Sequence, residues 1–199
     1  MLVEPLAWAF LFPGERCFDG TRTFSTQSID KAVFNMFKIF GTLGHEKLDF
    51  KSDGVRECDY DHPVDIDSYV EAAKAGGEAD VSGFAVRGEN NEIQIVVYSH
   101  HDDRDRNGKN PVKLQVGGLK DGAYRLTHHR IDGEHSNPYA EWVRQGSPLY
   151  PQGEQYASIK ARDGLEELEP EREIEIKGGC ATIEFDLPEH AVSYLVLKA

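Results

Sequence analysis

The chain has 199 residues, with 22 Lys+Arg against 35 Asp+Glu, which gives a net charge of −13. Such acidity argues against nucleic acid or an anionic membrane surface as a partner. No apolar run approaches the ~20 residues of a membrane-spanning helix. The N-terminus has no basic n-region and no small-residue cleavage site, so the expected address is cytoplasmic. Three cysteines, Cys17, Cys58 and Cys180, are odd in number, far apart and form no CxxC, which reads as free thiols in a reducing compartment.

Residues 2–12 (Leu-Val-Glu-Pro-Leu-Ala-Trp-Ala-Phe-Leu-Phe) are a near-continuous apolar run ending at Pro13-Gly14. A strand with one wet face alternates, whereas a run without a polar face fits a strand buried on both sides of a parallel α/β sheet. Ile29, Val33, Phe37 and Phe40 then recur at helical spacing, with Met36 and Leu43 beside them. Ser28 can cap this helix, and Gly41 and Gly44 mark its end. Residues 1–44 thus read as one βα unit. A closed barrel of such units takes eight, and nothing downstream alternates β with α.

From residue 45 the pattern changes to short strands and polar turns. Candidates are Glu46–Phe50, Ala79–Arg87, Glu92–Ser99, Val112–Val116, Ala123–Ile131, Arg172–Ile176, Ala181–Leu187 and Val192–Lys198. Ile174/Ile176, Ile183/Phe185/Leu187 and Val192/Tyr194/Val196 alternate with their neighbours as half-buried strands do. Gly88-Glu89-Asn90-Asn91, Asn107-Gly108, Asp121-Gly122 and Gly178-Gly179 supply turn signals. Residues 52–78 are a polar loop with a weak helix at Ser68–Ala75. Tyr139–Arg144 and Gln155–Arg162 read as short helices. The predicted fold is mainly β: an antiparallel β-sandwich over 45–199, preceded by one βα unit, 1–44, of an incomplete (β/α)8 barrel.

The densest polar stretch lies where the strand ending at Ile131 turns through Asp132-Gly133-Glu134-His135-Ser136 into a helix. Asn137 is a good N-cap, Pro138 fits the first helical position, and Glu141 follows in the first turn. Other polar clusters carry less chemistry. Asp103-Arg104-Asp105-Arg106-Asn107-Gly108 matches the start of a calcium-binding EF-hand loop, but Pro111 and Leu114 stand at its ninth and twelfth positions, so a tight hairpin loop is the better reading. His100-His101, His128-His129 and His135 invite a metal, yet adjacent strand residues face opposite ways and no zinc spacing is present. No cofactor and no metal are expected. Nucleophile and phosphate-loop motifs are absent. Glu166, Glu167, Glu169, Glu171, Glu173 and Glu175 read as a solvated strand face. In a (β/α)8 barrel, chemistry sits where strands end and loops begin. There Trp8 offers a stacking face for a sugar ring, and Glu15, in the loop beside Arg16 and Asp19, offers a carboxylate for its hydroxyls. The bland alternative is a core tryptophan and an exposed glutamate.

Two stretches resemble glycoside hydrolase family 39, the β-xylosidase family. Leu6–Phe12, Phe18–Thr26, Ile29-Asp30-Lys31 and Val33–Phe37 are similar to the last strand, loop and helix of its catalytic barrel. Gln94–His101, Arg130-Ile131-Asp132 with His135-Ser136-Asn137, Tyr139 and Trp142, Gly146-Ser147-Pro148, and the closing Leu187–Leu197 resemble its C-terminal β-domain, in order. The resemblance implies a retaining glycosidase acting chiefly on β-D-xylosides, with α-L-iduronidase a relative. It implies that Trp8 lies beneath the sugar and that Glu15 replaces, one position along, a substrate-binding carboxylate. The family's two catalytic glutamates belong to earlier barrel strands that this sequence does not contain, so no residue here is assigned as catalytic. The expected partners are a glycoside, bound only with the missing barrel, and a complementing barrel polypeptide or a second copy through the open strand 2–12. The alternative is a non-catalytic β-sandwich binding carbohydrate or a partner subunit.

Overall fold

The computed structural model describes residues 14–19, 23–55 and 77–199. The strand expected at 2–12 with Trp8, the third cysteine Cys58 and the weak helix at 68–75 lie outside the described residues.

The chain begins with a two-strand hairpin, β1 (Ser25–Thr26) and β2 (Ile29–Asp30), whose turn residues Gln27 and Ser28 take φ values of 47° and 64°. Helix α1 (Ala32–Thr42) follows. It starts later than its apolar spacing predicts, with Lys31 rather than Ser28 at its N-cap, because Ile29 is consumed by β2. Its buried face is therefore Asn35 and Ile39, whereas Val33 is half-exposed.

Eight further strands make the sandwich: β3 (Glu46–Leu48), β4 (Asp80–Arg87), β5 (Ile93–His100), β6 (Lys109–Gly117), β7 (Gly122–Ile131), β8 (Glu166–Ile176), β9 (Cys180–Pro188) and β10 (Ala191–Lys198). Between β7 and β8 lie α2 (Pro138–Arg144) and α3 (Gly153–Lys160). All pairings are antiparallel. One sheet runs β3-β4-β5-β10-β7-β8, and β6 and β9 form the second.

The core between the sheets joins Ile93, Ile95 and Val97 of β5 and Leu195 and Leu197 of β10 to Ile183 and Leu187 of β9. Full burial of such side chains is worth about 1.5–3 kcal/mol each. Alternate residues of the same central strands are also buried, because α1 covers the other face. Val96, Tyr194 and Val196 pack there with Ile39, Met36 and Leu43. The Val192/Tyr194/Val196 set thus belongs under α1 and not to the space between the sheets. Gln94 fastens the helix end to the sheet, its Nε2 donating to the Thr42 carbonyl (3.0 Å) and its Oε1 accepting from Gly44 N–H (2.8 Å).

Two connections expected as hairpin turns do something else. The segment between β5 and β6, with its Asn107-Gly108 signal, and the one between β6 and β7, with its Asp121-Gly122 signal, carry the chain from one sheet to the other. Gly178-Gly179 does make a tight turn, with Lys177 bridged to Cys180, before β8 and β9 diverge into different sheets. Inward residues Ala181, Ile183 and Leu187 of β9 are buried, whereas Val112, Leu114 and Val116 of neighbouring β6 are only half-buried. A groove of about 610 Å³ opens beside them, bounded by Phe50, Val81 and Val97 and closed at one end by Arg106 and Glu189.

Candidate functional site

The loop that carries Glu15 is docked against the helical insertion of the β-domain. Cys17 N–H donates to the Leu149 carbonyl (2.9 Å), and the Gln27 side chain donates to the carbonyls of both Glu15 (3.2 Å) and Leu149 (3.1 Å). Phe18 packs its ring against both Tyr139 and Trp142 of α2, with centroids 5.4 and 5.2 Å away, and those two rings also touch each other at 5.3 Å. Trp142 is held in turn by its indole N–H on the Pro148 carbonyl (2.8 Å). Tyr156 of α3 donates its hydroxyl to the Gln27 carbonyl (2.9 Å), and Cys17, Ile29 and Ile159 close the apolar centre beneath.

Glu15 is half-buried in this loop, while Arg16 and Asp19 pair with each other at 2.8 Å on the surface. The nearby Lys31 ammonium donates to Thr23 Oγ1 (2.7 Å). Burial pushes Lys31 below its ordinary range, against the attraction of Glu15. Burial likewise pushes the Cys17 thiol up, which disfavours the thiolate, the nucleophilic form. Cys17 and Cys180 are both free. Sequence reasoning placed Glu15 in a loop but missed the aromatic cluster that anchors this loop through Phe18. Tyr139 was one letter of a motif, and only the fold shows its ring, half-exposed, next to Phe18.

The corner after β7 is a polar knot. Asp132 Oδ1 accepts from the N–H groups of Glu134 and His135 (both 2.7 Å) and lies 3.0 Å from His135 Nδ1. Burial opposes ionisation here, but these donors hold the Asp132 carboxyl below its ordinary value. Ser136, fully buried, donates its hydroxyl to the Arg130 carbonyl (2.6 Å) and accepts from Glu166 N–H (2.8 Å). The Glu166 carboxylate takes Ser136 N–H (2.7 Å). Asn137 stands at the N-cap with Pro138 next, as its sequence suggests, yet its amide turns back to the Asp132 carbonyl (3.0 Å). The knot reaches α1 through Asn35, whose Nδ2 donates to the carbonyls of Ser136 (3.0 Å) and Gly164 (3.3 Å).

Arg130 extends the knot inward, with Nε donating to Ser193 Oγ (3.0 Å) and Nη2 to the Asp186 carbonyl (2.9 Å). His128 Nε2 lies 2.9 Å from the same Ser193 hydroxyl. This Ser–His contact is no catalytic pair. Ser193 and His128 are 0% and 1% exposed, and burial pushes the imidazole down to about 3. His129 points to the opposite face and stacks on Tyr194 (6.0 Å between ring centres). Among the described residues no group of three or more His, Cys, Asp or Glu side chains is arranged to hold a metal ion. No helix among them is long and apolar enough to cross a membrane.

Fold and site together define an antiparallel β-sandwich locked by hydrogen bonds to a loop-and-helix unit, with aromatic rings at their contact. Residues 17–178 match the family model of glycosyl hydrolases family 39, and the chain belongs to that family. No curated protein matches it in sequence. Among solved structures it is similar to the bacterial orthologue of human α-L-iduronidase, at 20% identity and a TM-score of 0.62, over 85% of this chain and 27% of that one. It is also similar to a monomeric β-xylosidase from Caulobacter crescentus CB15 (17% identity, TM-score 0.52, 65% of this chain and 30% of that one). A third is the family 39 enzyme from Xanthomonas axonopodis pv. citri (13% identity, TM-score 0.53, 65% and 28%). The chain spans less than a third of each of these structures.

Proposed function

We propose that this chain is the C-terminal part of a retaining glycoside hydrolase of the β-xylosidase type. Residues 1–44 supply the last βα unit of the catalytic barrel, with Trp8 and Glu15 on its sugar-binding side. Residues 45–199 form an accessory β-sandwich. The observation that carries this reading is the Asn35 junction: the family match runs through residues 17–178, and inside it α1 is bonded to the β-domain corner by a fully buried side chain. Such a sandwich holds the last barrel helix, and the substrate loop before it, in a fixed place.

Retaining hydrolysis needs two carboxyl groups about 5–5.5 Å apart, one as acid and base and one as nucleophile. Among the described residues, the acids with buried side chains named above have other duties, Asp132 in the corner and Glu189 on Arg106. In this reading the catalytic pair comes from a polypeptide carrying the earlier barrel units, which is also the expected cytoplasmic partner; self-association is what an unpartnered unit would show instead. A sandwich evolved only to bind carbohydrate or a subunit would present a row of aromatics on a sheet face. Among the described residues the exposed tyrosines, Tyr139 and Tyr150, stand on α2 and in the loop after it.

The test is hydrolysis of nitrophenyl β-D-xyloside and nitrophenyl α-L-iduronide by the purified chain, alone and after co-expression with the barrel-encoding frame upstream. The chain alone is expected to turn over neither substrate, and Glu15→Gln to change nothing. Co-expression is expected to restore turnover of the xyloside. Hydrolysis by the purified chain alone refutes the proposal.

A further inference from the structure

The connection between β5 and β6, residues 101–108, is closed by a histidine whose protonation state its partners dictate. His101 is 2% exposed. Its Nδ1 accepts from Asp103 N–H (2.9 Å), so Nδ1 carries no proton. Its Nε2 lies 2.9 Å from the Gly77 carbonyl, a group that only accepts, so Nε2 carries the hydrogen. The ring is therefore neutral in this arrangement, and both of its nitrogens are in use.

The same knot ties together three distant parts of the chain. Arg106 Nη1 donates to the Gly77 carbonyl (2.7 Å), and its Nη2 and Nε pair with the two oxygens of Glu189 (2.9 and 3.2 Å). Glu189, in the turn between β9 and β10, also accepts from Gly108 N–H (3.0 Å). Arg106 and Gly108 hold the Glu189 carboxyl below its ordinary range, so this ion pair persists in mild acid. His190 Nε2 rests on the Asp103 carbonyl (3.1 Å).

We propose that His101 is an acid-sensitive latch, closed by its neutral ring between Asp103 N–H and the Gly77 carbonyl and opened when Nδ1 takes a proton. A proton on Nδ1 replaces an acceptor by a donor aimed at the Asp103 N–H. It also sets a cation beside the Arg106 guanidinium, whose Nη1 is 3.3 Å from Nε2. The groups facing the ring are of both signs. Arg106 opposes the imidazolium from the same connection, and Glu189 favours it from the β9–β10 turn. Asp103 presents its N–H while its carboxylate turns to Asp105 N–H (3.0 Å). Glu78 and Asp80 stand at the start of β4, with Asp80 opposite His100 in the register, and Asp102 and His190 lie on the exposed side. The attraction of Glu189 does not restore the lost acceptor, because its two oxygens are already taken by Arg106 and Gly108. Opening frees Asp103 and one bond to Gly77 at the end of the groove beside β6, while the Arg106–Glu189 pair keeps the strands in place.

The experiment uses the full chain labelled with ¹⁵N, from pH 8 to pH 5, reading the ring nitrogens of His101 and the exchange protection factor of the Asp103 amide. At pH 8 the ring is expected as the Nε2–H tautomer. Asp103 protection is expected to fall at least tenfold in the step in which the ring protonates, while the core amide of Leu195 keeps its protection. In His101→Asn the side-chain oxygen stands near the place of Nδ1 and does not titrate, so Asp103 protection should become independent of pH over this range. An Nδ1–H tautomer at pH 8, or unchanged protection through the ring titration, overturns the proposal on the wild-type chain alone. The same fall in His101→Asn would assign the effect to another group and overturn it equally.

Discussion

Replacing Asn35 with alanine tests whether the bond between α1 and the corner holds the two parts together. The side chain is fully buried, its Nδ2 serves two carbonyls, and its Oδ1 has no partner among the described residues. Losing two hydrogen bonds costs about 0.5–1.5 kcal/mol each, and the carbonyls left dry add about 1–3 kcal/mol apiece. Removing the orphaned Oδ1 returns about 1–3 kcal/mol. The net expectation is a loss of about 2–6 kcal/mol, a large share of the ~5–15 kcal/mol that holds a domain folded. Asn35→Asp, nearly the same shape, should be worse at pH 7, because a carboxylate oxygen then faces the carbonyls of Ser136 and Gly164. Its raised pKa means that the folded form binds the extra proton. The gap to the wild type at the same pH should therefore narrow as pH falls, once the protonated carboxyl can donate to Ser136. Urea unfolding followed in parallel by tryptophan emission and far-UV circular dichroism measures both variants. A midpoint shift at unchanged slope is a stability change, and divergence of the two probes would mean that α1 leaves before the sandwich melts. An alanine variant within ~0.5 kcal/mol of wild type, or an aspartate variant no worse than alanine at pH 7, refutes the role given to this junction.

Two further substitutions probe the sandwich itself. His128 is buried as the neutral ring and held down to about 3, so its contribution is complete above the unfolded value near 6.5 and is lost as pH falls from there toward 3. At ~1.4 kcal/mol per pH unit, about 2.5 kcal/mol should disappear between pH 7 and pH 4.5. His128→Gln, which can still accept from Ser193, should flatten that slope in pH-dependent urea titrations; an unchanged slope assigns the acid loss elsewhere. At Gly83 a methyl group would stand 2.0 Å from the Val96 carbonyl oxygen and 3.0 Å from the Phe50 ring. Gly83→Ala must therefore push β4 away from β5 and is expected to cost more than ~3 kcal/mol or to abolish soluble expression. A variant as stable as wild type would show that the two strands can separate there cheaply.

What could be read from the sequence divides along the range of the interactions. Alternation and turn residues placed seven of the eight sandwich strands within a few positions, since each is a local signal; β8 starts at Glu166, six residues before its predicted start at Arg172, because its glutamate-rich first half carries no apolar alternation. The start of α1 was misjudged because Ile29 sits at helical spacing from Val33, while the hairpin that claims it turns on Gln27 and Ser28. Both adopt positive φ without a glycine to announce it. Sheet membership was equally hidden. The polar stretch 101–108 looks like a hairpin loop whether its strands pair or part, and the distant partners of the parted arrangement, β9 for β6 and Glu189 and Gly77 for Arg106, leave no local signal. Of the two predicted sugar-side residues, Glu15 lies in a loop as expected, but no sequence period indicated that α2 would anchor that loop through Phe18. Trp8 falls outside the described residues.

The corner gives this β-domain a positional control that apolar packing alone would not supply. Hydrophobic contact alone would let α1 slide along the outer face of the sheet, since Val96, Tyr194 and Val196 offer a smooth apolar surface. Directional bonds remove that freedom. Asn35 fixes the helix to Ser136, Ser136 fixes the corner to β7 and β8 through the Arg130 carbonyl and Glu166 N–H, and Gln94 pins the other helix end. The loop carrying Glu15 is then anchored independently, by Leu149 and by the rings of Tyr139 and Trp142. Loop and helix therefore hold their relation to the β-domain through separate contacts. On the proposed reading, a polypeptide completing a barrel would meet a helix and a loop already set in place, and so would lose less entropy in assembling than if the sandwich had to order on binding.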